Sequence, residues 1–256
     1  AGPIVFHSDF INQIRSKTFN QQKNIYIPLG LIIFLIGLFK KIMIADTLSA
    51  QFVKPFYDFI SSGNIPSIPT AWIGSLSYSM QIYFDFSAYS EMAIGLGLIF
   101  GLTLPVNFNS PFQSNSLIEF WDKWNITLSR FIGEYIYQPI FGLLSKNNSK
   151  FFSNHIYSIV ISMTISGLWH GANWNFILWG LLHGIALALN HFFKAKKLFR
   201  NTPVYIKRLI LLIFYNITFV VFKNSDLTLI SKTIHYLFPF ERIFTNLSWD
   251  FNDGAI

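Results

Sequence analysis

Residues 155–193 read HIYSIVISMTISGLWHGANWNFILWGLLHGIALALNHFF. Two apolar runs, 155–168 and 174–193, flank the short polar segment His170-Gly171-Ala172-Asn173. A bilayer crossing takes about 20 residues, and so brief a break between two such runs predicts a helical hairpin. Its tip carries a histidine, and an ionisable residue in greasy surroundings is a functional suspect by default.

Composition points the same way. The chain is 52% hydrophobic and 12% charged, with a mean hydropathy of +0.42. Soluble domains carry about 25% charge, so the deficit argues for burial in lipid. The formal charge of +7 raises nucleic acid as a partner. The basic residues, however, sit in short blocks beside apolar runs, which fits a membrane surface and no nucleic acid. There is no cysteine, which excludes a thiolate nucleophile and a cysteine-based metal centre.

Outward from the hairpin, residues 25–44 form an apolar run broken by Lys40-Lys41, which are expected to snorkel to an interface. Residues 55–69 contain Gly63, Asn64, Pro66 and Pro69 and read as an extramembrane loop. Residues 72–104 are long enough for one crossing with excess, or for one and a broken piece of another. Residues 103–116 read as a polar loop. Residues 116–144 carry Glu119, Asp122, Lys123, Arg130 and Glu134 among aromatics, and predict one amphipathic helix at an interface or along a cavity. Residues 209–222 are one more span, and 226–256 an interfacial or extracytoplasmic tail. The basic block Lys194, Lys196, Lys197, Arg200, Lys207 and Arg208 should face the cytoplasm. That places the His170 tip toward the far side or partway into the bilayer. The opening Ala1-Gly2-Pro3 has no initiator methionine, and the close at Ala255-Ile256 has no clear stop. The expectation is a single membrane-embedded domain over 1–256, truncated at both ends.

Three groups of residues are candidates for chemistry. His170 ends an apolar run, between Gly167 and Gly171, which permit close approach of backbone or substrate. Neutral imidazole is the form a general base requires. The plain alternative is a structural histidine bonded across helices. Asn125 ends the polar-aromatic block Phe120-Trp121-Asp122-Lys123-Trp124-Asn125 and offers both a donor and an acceptor, although the two tryptophans also suit an interfacial anchor. Ser77, Gln81, Asp85 and Tyr89 recur every four residues and form one polar stripe, with Tyr83 and Glu91 on the same helix. A carboxylate there must face a cavity or a neighbour, and hydrogen bonding between helices explains most of the stripe. Ala93, Gly97 and Gly101 form a small-residue packing face. His183 lies mid-helix, where packing is its simpler role. A metal site would want further ligands, and no Asp or Glu occurs between Glu134 and Asp226.

Four blocks in order, Gln81-Ile82-Tyr83-Phe84-Asp85-Phe86-Ser87, Asn107-Phe108-Asn109-Ser110-Pro111-Phe112, Phe120 through Ser129, and Leu168-Trp169-His170-Gly171, resemble the membrane-bound O-acyltransferase family. The similarity is greatest to the bacterial branch that acetylates alginate and peptidoglycan. The resemblance implies an all-α, multipass fold with a central tunnel, in the bacterial cytoplasmic membrane. It implies catalytic roles for His170 and Asn125. Trp121, Trp124, Trp169, Asn173, Asp85, Tyr83 and His183 become candidates to line the substrate path. No bound cofactor is implied. Acetyl-CoA or another acyl thioester would be the donor, a polysaccharide the acceptor, and an extracytoplasmic SGNH hydrolase-like protein a partner. The sequence departs from the branch at Asn125, often histidine there, and at Gly133-Glu134, where arginine-aspartate is usual. A polytopic transporter or flippase is the alternative from another class, since it too shows polar stripes in apolar helices.

Overall fold

The computed structural model describes residues 2–15, 18–146 and 150–239, with backbone only for 18–21. Among these residues the chain is helical, and one isolated antiparallel bridge, Phe108 to Trp124, is its sole β pairing. The all-α expectation holds. Among the described residues, three helical segments are long and apolar enough to cross a membrane: Gln22–Ser61, Trp174–Ala195 and Val204–Lys223.

A short helix α1 (His7–Arg15) precedes α2 (Thr18–Phe39). Helix α2 runs through π-helical turns at Lys40–Asp46 and Ser49–Val53 directly into α3 (Lys54–Ser61). The loop expected over 55–69 is therefore confined to the residues between α3 and α4. Pro69 misled as a loop signal: it sits in the first turn of α4, where its missing N–H has little to donate to, while Pro55 lies within the continuous rod, just after the π turn at Ser49–Val53. The outward side chains of this rod, among them Ile32, Leu35, Ile36 and Phe39, are about half exposed, as lipid-facing residues would be.

Helix α4 (Ile68–Ile99) is unbroken and, at 1.5 Å per residue, about 48 Å long. Its partner is α2. They touch where Gly30 meets Gly95 and where Gly37 meets the Ala88 carbonyl, and a Cβ at any of these glycines would strike backbone. Gly101 is not part of a packing face. It terminates α4 at φ 80, with Leu102 N–H donating to the Gly97 carbonyl and Gly101 N–H to Leu98.

The amphipathic helix expected over 116–144 is instead four pieces: α5 (Leu117–Trp121), α6 (Ile126–Ile132), a π turn at Gly133–Tyr137, and α7 (Gln138–Ser145). The hairpin is present as α8 (Phe151–His170) and α9 (Trp174–Ala195). Gly167, Gly180 and Gly184 bring these two backbones together. Helix α10 (Val204–Lys223) crosses back, and Asn216 joins it to α4. The Asn216 amide donates to Ser75 Oγ at 3.1 Å, and its carbonyl accepts from Ser79 Oγ at 3.2 Å. Helix α11 (Leu227–Leu237) packs on α3, α4 and α10 and buries Ile230, Thr233 and Leu237. The remainder of the expected tail, from 240 onward, lies outside the described residues.

The core is a plate of aromatic rings. Phe120 stacks on Tyr215 at 4.1 Å and on Trp124 at 5.4 Å. Phe108, Phe112, Tyr83 and Phe219 complete it around Trp124. The plate fixes α5 against α10 and thereby aims the Trp124-Asn125 corner.

Candidate active site

Asn125 owes its position to a break in the helix. Its backbone is left-handed, at φ 46 and ψ 53, a conformation that asparagine tolerates better than most residues. Asn107, buried beside it, holds the corner from outside. The Asn107 carbonyl accepts from Ile126 N–H at 3.0 Å, and its Oδ1 accepts from Thr127 N–H at 3.1 Å and Thr127 Oγ1 at 2.9 Å. With the Phe108–Trp124 bridge, these contacts turn the chain sharply between α5 and α6. The Asn125 side chain is left without a hydrogen-bond partner among the described residues, and it lines a cavity.

That cavity, of about 600 Å³, is lined by residues of five separate segments. Asn125 comes from the corner, Trp169 and His170 from the end of α8, and Asp85 and Tyr89 from α4. Phe222 comes from α10 and Lys41 from the π turn after α2. His170 is half-buried, and its ring packs edge-on to Trp179 at 5.2 Å and Phe222 at 5.0 Å, with Trp169 at 4.9 Å. No described group hydrogen-bonds to either ring nitrogen. The His170 imidazole thus combines apolar walls, no counter-ion and access to a cavity.

Of the nine residues proposed from sequence, the structure brings His170, Asn125, Trp169 and Asp85 to this cavity. Trp124, Trp121, Tyr83 and His183 stand behind it, within the aromatic core. Trp124 supports Asn125 through its ring contacts. The Trp121 indole N–H donates to His183 Nδ1 at 3.3 Å. His183 is fully buried and its Nε2 has no partner, so it belongs to the layer that backs Trp179, the ring against His170. Asn173 is exposed at the start of α9 and makes no capping bond.

Lys41 was missed as a site residue. It does not reach for an interface: its Nζ lies 2.7 Å from Asp85 Oδ1 and 2.6 Å from Asp46 Oδ1, while Lys40 pairs with Glu91. The available signal was that charges on two apolar helices require partners. Phe222 and Met92 carried no signal of their own. Of the polar stripe on α4, Asp85 and Tyr89 face the cavity. Asp85 also bonds across helices, to Lys41, and the adjoining Ser75 and Ser79 bond to Asn216 of α10.

Comparison with known proteins matches residues 1–231 to the membrane-bound O-acyltransferase family. A peptidoglycan O-acetyltransferase from Helicobacter pylori is 44% identical over 230 residues, 89% of this chain and 42% of that protein. A probable alginate O-acetylase from Azotobacter vinelandii is 40% identical over 189 residues, covering 74% of this chain and 35% of its own. A teichoic acid D-alanyltransferase from Streptococcus thermophilus is 30% identical over 168 residues, 64% of this chain and 40% of its own. The chain spans about two fifths of the length of such curated relatives. An all-helical architecture with membrane-length spans, a histidine and an asparagine on one cavity, and the match over residues 1–231 lead to one conclusion: the chain belongs to the membrane-bound O-acyltransferase family.

Proposed function

We propose that this chain forms the catalytic core of a membrane O-acyltransferase. It moves an acyl group, acetyl by preference, from a thioester such as acetyl-CoA to hydroxyls of a cell-surface polysaccharide. The observation that carries the reading is that His170 and Asn125, from separate segments of the chain, line one cavity. Family membership, and relatives named for acetylating peptidoglycan and alginate, favour it over a transporter.

In the proposed mechanism, His170 accepts the proton of an acceptor hydroxyl. The oxygen attacks the thioester carbonyl, and the Asn125 amide donates a hydrogen bond to the oxyanion that forms. Collapse breaks the C–S bond, and the imidazolium returns its proton to the departing thiolate. Trp169 and Phe222 wall the site and limit water. The same chemistry serves a direct transfer or a relay through an extracytoplasmic SGNH hydrolase-like partner. The setting proposed is the bacterial cytoplasmic membrane.

The test is complementation of a deletion strain. His170→Ala should lower polymer O-acetylation by about 10²–10⁴-fold, the usual contribution of a general base, with normal insertion and extraction. Acetylation near the wild-type level would remove His170 from the mechanism.

A further inference from the structure

The basic residues at the end of α9, in the turn beyond it and at the start of α10 do more than a topology signal requires. Four of them, Lys194, Lys197, Arg200 and Lys207, converge on a cavity of about 530 Å³ that also takes in Asn115 and Ser116 from the turn before α5. Lys196 and Arg208, of the same block, do not line it. A positive-inside bias asks only that charges lie on one side of the membrane; it does not ask that they share one concavity. Among the described residues, no carboxylate lines the cavity. Among the described residues, none of the four cations lies in an ion pair. Glu119, on the adjoining α5, is already held by Lys123 Nζ at 2.7 Å and Asn115 N–H at 2.8 Å.

Helix α9 ends in a left-handed cap, beyond which the chain turns back toward α10. Lys197 and Phe199 adopt φ 55 and 57, which side-chain-bearing residues rarely do. Lys197 N–H donates to the Lys194 carbonyl at 3.1 Å and Leu198 N–H to Phe193 at 2.9 Å. The Phe199 ring packs edge-on against Phe193 at 5.2 Å. The returning chain sets Arg200 beside Lys207, whose Nζ donates to the Arg200 carbonyl at 3.3 Å. The turn therefore gathers like charges into one concavity against their own electrostatics.

We propose that this cavity binds phosphate groups, as a phosphomonoester, diphosphate or phosphodiester, at the opposite end of the α8–α9 hairpin from His170. Its volume falls within the range of about 300–1,000 Å³ usual for small-ligand sites. The lysines supply point charges and Arg200 a planar fork for phosphate oxygens. Asn115 Oδ1 accepts from Arg208 Nε at 3.1 Å, leaving its amide N–H groups as neutral donors. From Trp174 to Lys194 along α9 is about 30 Å, roughly one hydrocarbon thickness, so the cavity belongs at a membrane–water boundary. There the phosphate comes either from an anionic lipid headgroup or from a soluble metabolite. The site stands independently of the acyl-transfer reading.

The experiment measures thermal unfolding of the purified protein under two sets of conditions. One adds sodium pyrophosphate, in uncharged detergent, against sodium chloride of matched ionic strength. The other compares phosphatidylcholine nanodiscs with and without phosphatidylglycerol. At least one probe should raise the wild-type midpoint, since a ligand that binds only the folded state stabilises it. Lys197→Gln and Arg200→Gln should each weaken the apparent affinity for that probe about tenfold. Lys196→Gln, which removes the same charge from the same block outside the cavity, should leave it unchanged. A response to pyrophosphate alone assigns the soluble source, and one to phosphatidylglycerol alone assigns the lipid. Should Lys197→Gln fold poorly, Lys207→Gln serves in its place. No shift with either probe, or equal shifts in Lys196→Gln and the cavity variants, overturns the proposal.

Discussion

Lys41 Nζ lies 2.7 Å from Asp85 Oδ1, and both side chains face the cavity that holds His170. The lysine comes from a π-helical turn and the aspartate from the middle of α4, so the pair fastens two helices at the site's edge. The two groups are 39% and 46% exposed, and ion pairs that wet contribute at most about 1 kcal/mol to stability. Their effect should therefore fall on the site rather than on the fold. Lys41→Ala and Asp85→Ala are each expected to slow acyl transfer about tenfold, and the double variant to lose little more, because contacting groups are non-additive. A double-mutant cycle on transfer rates checks this; losses that simply multiply would show that the pair does not act as a unit.

Asn125 joins a special backbone conformation to a side chain aimed at the cavity, and two substitutions separate them. Asn125→Gly retains the left-handed backbone and removes the amide. Asn125→Ala removes the amide and adds a left-handed penalty of roughly 1–2 kcal/mol. Both variants should lose about 10²–10³-fold in turnover, the scale of one oxyanion donor. Only the alanine variant should also unfold at lower temperature. Full activity in Asn125→Gly would restrict this residue to shaping the corner.

Helices α8 and α9 meet through glycine. A Cβ on Gly180 would collide with the Met163 carbonyl oxygen, and one on Gly167 with the carbonyl of Phe176. Backbone cannot yield as a side-chain tip can, so Gly180→Ala should force the hairpin apart and cost about 1–3 kcal/mol. Gly142→Ala is the control, since a Cβ there meets nothing within 4 Å. Thermal stability in detergent should fall for the first variant and hold for the second.

Asn216 is fully buried and bonds to two serines of α4. Polar contacts between membrane helices contribute about 0.6 kcal/mol each on average, up to about 1.7. Asn216→Leu removes both contacts and should cost about 1–2 kcal/mol, with Ser75 and Ser79 still bonded to their own helix carbonyls. A melting midpoint equal to the wild type would show that apolar packing compensates.

Much of this molecule was legible along the chain, and the misses share a cause. The hairpin around His170 was plain, because two apolar runs with so short a break have one economical arrangement. The segment 116–144 was misread as one helix. Its periodicity is helical throughout, while the break at Asn125 depends on Asn107, which clamps it from another part of the chain. Lys41 was misread as an interfacial lysine because its partner lies on a different helix. Trp121 and His183 were candidates for the substrate path, and their residue types gave no hint that they face each other inside the core.

Composition and hydropathy by themselves determined that this chain is helical and membrane-embedded: in hydrocarbon every backbone group must be satisfied within the segment, and runs near twenty apolar residues do so as helices. Tertiary structure alone decided that Lys41, Asp85, Asn125 and His170 share one cavity and that four cations share another. Lys41, Asp85, Asn125 and His170 lie on separate elements, and the packing that brings them together leaves no local trace in the order of the residues; the cations are neighbours in the chain, and the turn between α9 and α10 selects which of them share a concavity.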